Sequence, residues 1–368
     1  MRGTTGGRIL GAGRSPRGFV ALLAAGFALA MVTPAAAAPG DAVYARLGRL
    51  APASDGAKLN LYCMGRGSPT VVFDSGWEDW APVWAFVQPQ VAKSTRACAY
   101  DRAGAGFSTA GPLPRTSVRI AGELRSALTR AGIKGPYILV GHAFGSDNVR
   151  TFAELYMDQV AGVLLVEGDV MDLEPADLRN DDRKGRVDVV AQLRACRDLV
   201  ASGQPLPLLP ARPGRAPRTC AQQFFRGLPE QAWSPALNDA LLQIARTKVA
   251  MYDSYASEME QMAADEDYLQ AHRTPYGSRP LRVVTTGRHG VGSLAHQPPP
   301  SPEQLRYQQE AAKAQAQWLA RSSDGRRIDA ADSSEYVPFD RPDVVVQAIG
   351  EVIDIARRRQ SEGAKRPR

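Results

Sequence analysis

The chain of 368 residues has few of the side chains that bind metal ions. It contains only four histidines and four cysteines, and these are scattered rather than grouped. Zinc sites need such ligands at short, regular spacings. We therefore expect no metal site, and the sequence indicates no other cofactor. Internal repeats are absent as well.

Long apolar runs are lacking after the N-terminal region, so we expect no integral membrane span. The N-terminal region itself has the order of a secretory signal. Its positive residues are followed by an apolar run over residues 19–32 and then by four alanines at 35–38. This order predicts a signal peptide over residues 1–37 and a periplasmic or extracellular protein. An uncleaved membrane anchor is the less favoured alternative.

A basic excess gives the chain a formal net charge of +7. Four arginines near the N-terminus and the basic residues of the tail, 357–368, account for that excess, and the body between them is slightly acidic. A basic face of the kind that binds nucleic acid is therefore not expected. We interpret the tail as a solvated extension rather than an anchor for an anionic surface.

The four cysteines of an exported chain predict two disulfides, for which three pairings are possible. Cys63 and Cys98 each lie in a strand-like run, whereas Cys196 and Cys220 flank a proline-rich loop in another region. The simplest solution joins neighbours, Cys63 with Cys98 and Cys196 with Cys220.

Short apolar runs alternate with helical patterns, which is typical of a mostly parallel sheet covered on both faces. The predicted strands are 70–74, 97–101, 137–140, 162–166 and 281–285. The predicted helices are 83–91, 117–131 (with Ser117 as a possible cap), 146–155, 186–201, 235–262, 302–321 and 342–357. From 168 to 280 only helical patterns and a loop broken by prolines occur.

This organisation predicts an α/β core in two parts, residues 38–167 and 281–356. A helical cap at residues 168–280 is inserted between them, and the basic tail, 357–368, follows the second part.

The run from Tyr137 to Gly145 closely resembles the strand, turn and helix of the α/β-hydrolase family. That family carries Gly-x-Ser-x-Gly here, with glycines that permit a tight turn and a serine raised above the sheet. Gly141 and Gly145 match the pattern, but Ala143 stands at the serine position. The resemblance implies an α/β-hydrolase fold, and Ala143 implies that serine-esterase chemistry is lost.

Three further stretches support the resemblance. Residues 74–77 resemble the oxyanion loop, residues 98–108 resemble the Tyr-Asp-Arg segment, and residues 331–342 resemble the loop that carries the catalytic histidine before an Asp-Arg-Pro helix start. On this alignment Glu335 stands where the family has histidine. A carboxylate of ordinary pKa is a weaker base than imidazole at neutral pH.

Other parts of the site follow from the same alignment. The backbone N–H groups of Trp77 and Phe144 are expected to form an oxyanion hole, which needs no side chain. Glu167 or Asp169 could be the relic of the orienting acid, and His289 follows a strand at the rim where such sites collect. We expect Ser146 and His142 to pack rather than react, and we expect Asp101 and Arg102 to form a structural salt bridge.

These features favour a non-catalytic relative, a pseudoenzyme that binds an apolar or amphipathic small molecule. One alternative is a hydrolase of esters or amides in which Glu335 or His289 activates water without a covalent serine intermediate. Another is a scaffold whose cap surface binds a protein partner.

Overall fold

A computed structural model describes the chain over residues 40–168, 176–209, 217–224, 233–286 and 301–365. The predicted signal peptide lies outside these residues, as do Asp169 and His289. Among the helices of these ranges, none combines the length and the apolar composition that a membrane crossing needs.

The centre of the described chain is one sheet. Its strands are β1 (Arg49–Pro52), β2 (Lys58–Met64), β3 (Thr70–Asp74), β4 (Ala97–Asp101), β5 (Tyr137–His142), β6 (Val160–Val166), β7 (Leu281–Thr285) and β8 (Gly325–Asp329). They are ordered β1-β2-β4-β3-β5-β6-β7-β8. β2 is antiparallel to β1 and β4, and the remaining neighbours are parallel.

Helices lie between the strands. They are α1 (Gln88–Val91), α2 (Ser117–Arg130), α3 (Phe144–Tyr156), α4 (Ala176–Ala201), α5 (Cys220–Phe224), α6 (Pro235–Thr247), α7 (Val249–Ala271), α8 (Pro302–Leu319), α9 (Val337–Asp340) and α10 (Pro342–Lys365). Short 3-10 turns occupy Asp41–Ala45, Ala81–Trp84 and Met157–Gln159. The α/β fold class predicted from the sequence is therefore confirmed.

Two apolar layers cover the two faces of the sheet, and each central strand contributes to both. Val71 and Phe73 of β3 pack into the layer that includes α10, whereas Val72 between them packs into the layer that includes α2, α3 and α8. Successive side chains of a strand point to opposite faces, so a strand buried on both sides is apolar throughout. The fully buried β3 has that pattern.

Three predicted helix features are wrong in detail. The predicted helix 83–91 is the end of the 3-10 turn Ala81–Trp84 and, after a break, the short helix α1. The predicted helix 235–262 is two helices, because Lys248 adopts an extended conformation between α6 and α7. Its ammonium group donates to the main-chain carbonyls of Ala105, Gly106 and Ser108, which holds the break against the core. The cap of α2 is Thr116 rather than Ser117, since the Thr116 hydroxyl accepts from the Arg119 N–H.

The two disulfides join the predicted partners. Cys63 and Cys98 are directly opposite each other on β2 and β4, with Cα atoms 4.1 Å apart. Cys196 of α4 is bonded to Cys220 at the start of α5, with Cα atoms 5.5 Å apart. One bridge fixes the N-terminal strand pair to the sheet, and the other closes the proline-rich loop between β6 and β7. Both are compatible with an exported chain.

We expect the double variant Cys196→Ser/Cys220→Ser to unfold with a free energy about 3 kcal/mol lower than the wild type, because the open loop regains entropy when the chain unfolds. Denaturant titration measures this difference, and peptide mapping without reductant checks the pairing. Detection of a peptide that joins Cys63 or Cys98 to Cys196 or Cys220 would contradict the assignment.

Candidate functional site

The tight turn between β5 and α3 carries the candidate site. Ala143 has φ 46° and ψ −123°, a backbone conformation that residues other than glycine rarely adopt. The flanking glycines leave no room for a side chain: a Cβ on Gly141 would lie 2.4 Å from the Gly145 carbonyl oxygen. A Cβ on Gly145 would lie 2.5 Å from the carbonyl oxygen of Asp74 at the end of β3. Close contact between strand, turn and helix therefore fixes the turn.

The neighbouring strand also holds the turn by hydrogen bonds. The Ala143 N–H donates to the Val166 carbonyl at the end of β6, with N and O 3.1 Å apart. The Ala143 carbonyl accepts from the N–H of Ser146 at 2.8 Å. Ala143 is half-buried while both of its neighbours are buried, so its methyl group is the most exposed side chain of the three. The Ser146 hydroxyl points inward and donates to the Gly141 carbonyl.

His142 connects the turn to the loop that carries Glu335. Its Nε2 lies 3.0 Å from the Glu335 main-chain carbonyl oxygen. A carbonyl only accepts, so Nε2 carries the proton in the neutral ring and Nδ1 carries the lone pair. Burial lowers the pKa of His142, which keeps the ring neutral at pH 7. The rings of Trp84 and Tyr336 lie 6.4 and 5.7 Å away and confine it.

The two proposed oxyanion donors belong to the segments that follow β3 and β5. Phe144 begins α3, where N–H groups have no partner within the helix. Trp77 follows β3, and its indole N–H donates to the Tyr255 carbonyl of α7, which fixes the side chain. Within the described ranges, neither main-chain N–H has an acceptor. Both are therefore available to a ligand oxygen.

Glu167 follows β6 beside the turn, with φ 44° and a nearly buried side chain. Its carboxylate accepts from the Thr286 N–H after β7, with O and N 2.6 Å apart. The negative charge of Glu167 raises the pKa of His142, which opposes the larger effect of burial. The carboxylate is thus engaged by the main chain at the end of the neighbouring strand.

The expected salt bridge between Asp101 and Arg102 is wrong. Asp101 accepts from the Asn60 side chain and from the N–H groups of Ala81 and Phe107. The Arg102 guanidinium instead bonds Asp74 and, across the fold, Glu258 of α7. Consecutive residues at the end of a strand point to opposite faces, so these two side chains diverge.

Asp79 is a site residue that the sequence analysis missed. One of its carboxyl oxygens, Oδ2, lies 3.9 Å from His142 Nδ1. Burial raises the pKa of Asp79 to about 8, with Arg102 opposing this shift and Glu335 adding to it. Asp79 belongs to none of the recognised motifs, and only the folding of residues 74–80 against the turn brings it to Ala143.

Residues 69–204 match the family model described as alpha/beta hydrolase fold. The chain has the α/β-hydrolase fold. The esterase of Thermogutta terrifontis is 18% identical over 84% of this chain and 99% of its own, with a TM-score of 0.51. A putative epoxide hydrolase of Pseudomonas aeruginosa is 15% identical over 85% and 97% of the two chains, with a TM-score of 0.54. The esterase EaEST of Exiguobacterium antarcticum is 13% identical over 84% and 100%, with a TM-score of 0.55. These likenesses show the fold alone.

Curated relatives match this chain over shorter stretches. The protein YbdG of Bacillus subtilis is 30% identical over 115 residues, which are 31% of this chain and 35% of YbdG. The "AB hydrolase superfamily protein" of Gibberella zeae is 31% identical over 103 residues, or 27% and 32% of the two chains. The probable transporter efuK of Hormonema carpetanum is matched over 15% of its length. The chain thus spans about a third or less of these three relatives.

The strained turn predicts an unusual response to glycine. We expect Ala143→Gly to raise the free energy of unfolding by about 1 kcal/mol, because glycine adopts this conformation without steric conflict. Ala153→Gly, in the interior of α3, is the matched control and should destabilise by about 1 kcal/mol or more. Denaturant titration compares the two variants. A clear loss of stability in Ala143→Gly would show that the turn is unstrained.

Proposed function

We propose that this α/β-hydrolase is an exported protein that binds a small molecule over Ala143 and forms no acyl-serine intermediate. The observation that supports this most directly is the conformation of Ala143. The turn keeps the backbone of a nucleophile position, yet it presents a methyl group, which cannot attack a carbonyl.

The residue at the base position supports the same proposal. In the alignment, Glu335 occupies the position of the family's histidine. Its main-chain carbonyl oxygen lies against His142 beside the turn. A carboxylate there can orient or bind a ligand, but at neutral pH it returns a proton to a leaving group poorly. Loss of both nucleophile and imidazole removes the two parts of acyl transfer that depend on side chains.

The parts that depend on the main chain remain. The N–H groups of Trp77 and Phe144 can hold a carbonyl oxygen, and the half-buried Trp77 ring, in edge contact with Tyr255, supplies apolar surface. We therefore assign an apolar or amphipathic ligand with an oxygen acceptor at one end. The same proposal includes export directed by residues 1–37. It also divides the chain into a core (38–167 and 281–356), a cap (168–280) and a tail (357–368).

A second candidate function is hydrolysis of an ester or amide by activated water. It is favoured by the position of Glu335, whose charge raises the pKa of Asp79 and whose main chain is bonded to His142. Glu335 would take a proton from a water molecule in the space of the missing hydroxyl, and Trp77 and Phe144 would hold the oxyanion.

We expect fluorophosphonate probes to leave the mature protein unlabelled and short p-nitrophenyl esters to be hydrolysed at the background rate, since Ala143 has no hydroxyl to react. Intact-mass spectrometry and an esterase assay measure the two outcomes, with the same probe on a serine esterase as the control. Stoichiometric labelling of any serine, Ser146 included, would refute the proposal.

The double variant Ala143→Ser/Glu335→His is expected to gain measurable esterase activity, because it restores both missing side chains on an intact turn. Ala143→Ser alone should gain little, since a serine without an adjacent imidazole is a poor nucleophile. The two changes should be strongly non-additive.

Steady-state hydrolysis of p-nitrophenyl esters compares the two variants with the wild type. A folded double variant without activity would mean that the cleft has diverged beyond these two positions. A wild type that is faster than the double variant would favour the water-activating candidate, with Glu335 as its base.

A further inference from the structure

Asp79 carries a carboxyl group that the architecture leaves without an evident structural task. It precedes the 3-10 turn Ala81–Trp84, and its side chain is 7% exposed. In the described parts of the chain, its carboxyl oxygens make no hydrogen bond. A carboxyl group buried to this extent is normally paired or hydrogen-bonded, because losing water costs free energy.

The surroundings of Gly76 show where this carboxyl group faces. A Cβ on Gly76 would lie 3.0 Å from Asp79 Oδ2, 3.2 Å from His142 Nδ1 and 3.4 Å from the Ala143 methyl carbon. These three atoms therefore converge on one point beside the turn, where a side chain larger than glycine would be in tight contact with them. Asp79 thus lies at the same end of the cleft as Ala143 and the main chain of Trp77.

The protonation of this group follows from its environment. Burial raises the pKa of Asp79 to about 8, so the group is mainly a neutral carboxylic acid at pH 7. His142 beside it is neutral as well, because burial lowers its pKa. Charged and titratable groups face the pair from β4, α7, the end of β6 and the loops of the site: Arg102, Tyr255, Glu258, Glu167, Glu78 and Glu335.

We propose that Asp79 is a ligand-binding residue that donates a hydrogen bond to an uncharged carbonyl oxygen held over Ala143. This inference rests on the proposed function and deepens it. The carboxylic acid would act as a third donor beside the N–H groups of Trp77 and Phe144.

The chemistry of the site selects the charge of the ligand. The two lone pairs of a carbonyl oxygen can accept from Asp79 and from one of the two main-chain N–H groups, whereas an ammonium group has no acceptor. A carboxylate would accept these bonds, but the negative charges of Glu335 and Glu167, which already act on Asp79 and His142, would repel it. An amide, ester or ketone carbonyl accepts the bonds without that repulsion. The ligand class is therefore a neutral carbonyl compound with an apolar chain.

The test is calorimetric titration of the mature protein with three probes of equal chain length: hexanamide, hexanoate and hexylamine. We expect hexanamide to bind most tightly at pH 7. At pH 9 its dissociation constant should be about tenfold higher, because only about a tenth of Asp79 then remains protonated. The carboxyl ¹³C resonance of Asp79 should titrate near pH 8.

Two substitutions separate binding from a structural role. Asp79→Asn keeps an N–H donor that does not ionise, so hexanamide should bind at pH 7 and should bind equally well at pH 9. Asp79→Leu has no donor and should weaken the binding of hexanamide at least about tenfold. The exposed Asp354 of α10 provides the matched control, and Asp354→Asn should leave both the affinity and its pH dependence unchanged.

Four results would overturn the inference: no binding of any probe at millimolar concentration, preference for hexanoate or hexylamine, a flat pH profile in the wild type, or titration of Asp79 near pH 4. The wild-type measurements decide the matter even if a variant fails to fold. Ester hydrolysis by the wild type would refute the proposed function instead, and it would leave the role of Asp79 intact if the affinity for hexanamide still fell above pH 8.

Discussion

The buried guanidinium of Arg102 joins the parts of the molecule that form the cleft. It bonds the Asp74 carboxylate at the end of β3 and the carbonyls of Ser75 and Gly76 in the following loop. Its remaining N–H groups bond Glu258 of α7. A buried charge is tolerated only when its donors are paired in good geometry, so this one side chain fixes the loop that carries Trp77 and Asp79 relative to α7.

The electrostatic state of the cleft depends on the same residue. Arg102 is fully engaged by two carboxylates, and its positive charge only partly offsets the effect of burial on Asp79. The carboxyl group of Asp79, the third one near this guanidinium, therefore lacks a positive charge that would fully stabilise its ionised form. The result is a neutral acid beside a neutral imidazole, next to the turn at Ala143.

The buried part of the fold could be predicted from the sequence, and the exposed edge could not. β3, β4 and β7 were predicted with their observed bounds, because strands buried on both faces consist of apolar runs. β8 was missed: its side chains are mostly exposed, as an edge strand allows, so Gly325–Asp329 has no apolar pattern. The turn at Ala143 was predictable because its motif, Gly141 to Gly145, is continuous in the sequence. Asp79 and Glu258 were not, since only tertiary folding brings them to His142 and Arg102.

The bond between Cys63 and Cys98 has a mechanical consequence for the edge of the sheet. β1 is paired only with β2, and β2 is the strand that joins this edge to β4. A pulling force on the N-terminal end of the folded chain would open the β1–β2 pairing first and then most of β2. Extraction would stop at Cys63, near the end of β2, where the load passes from hydrogen bonds to a covalent bond anchored in the parallel sheet.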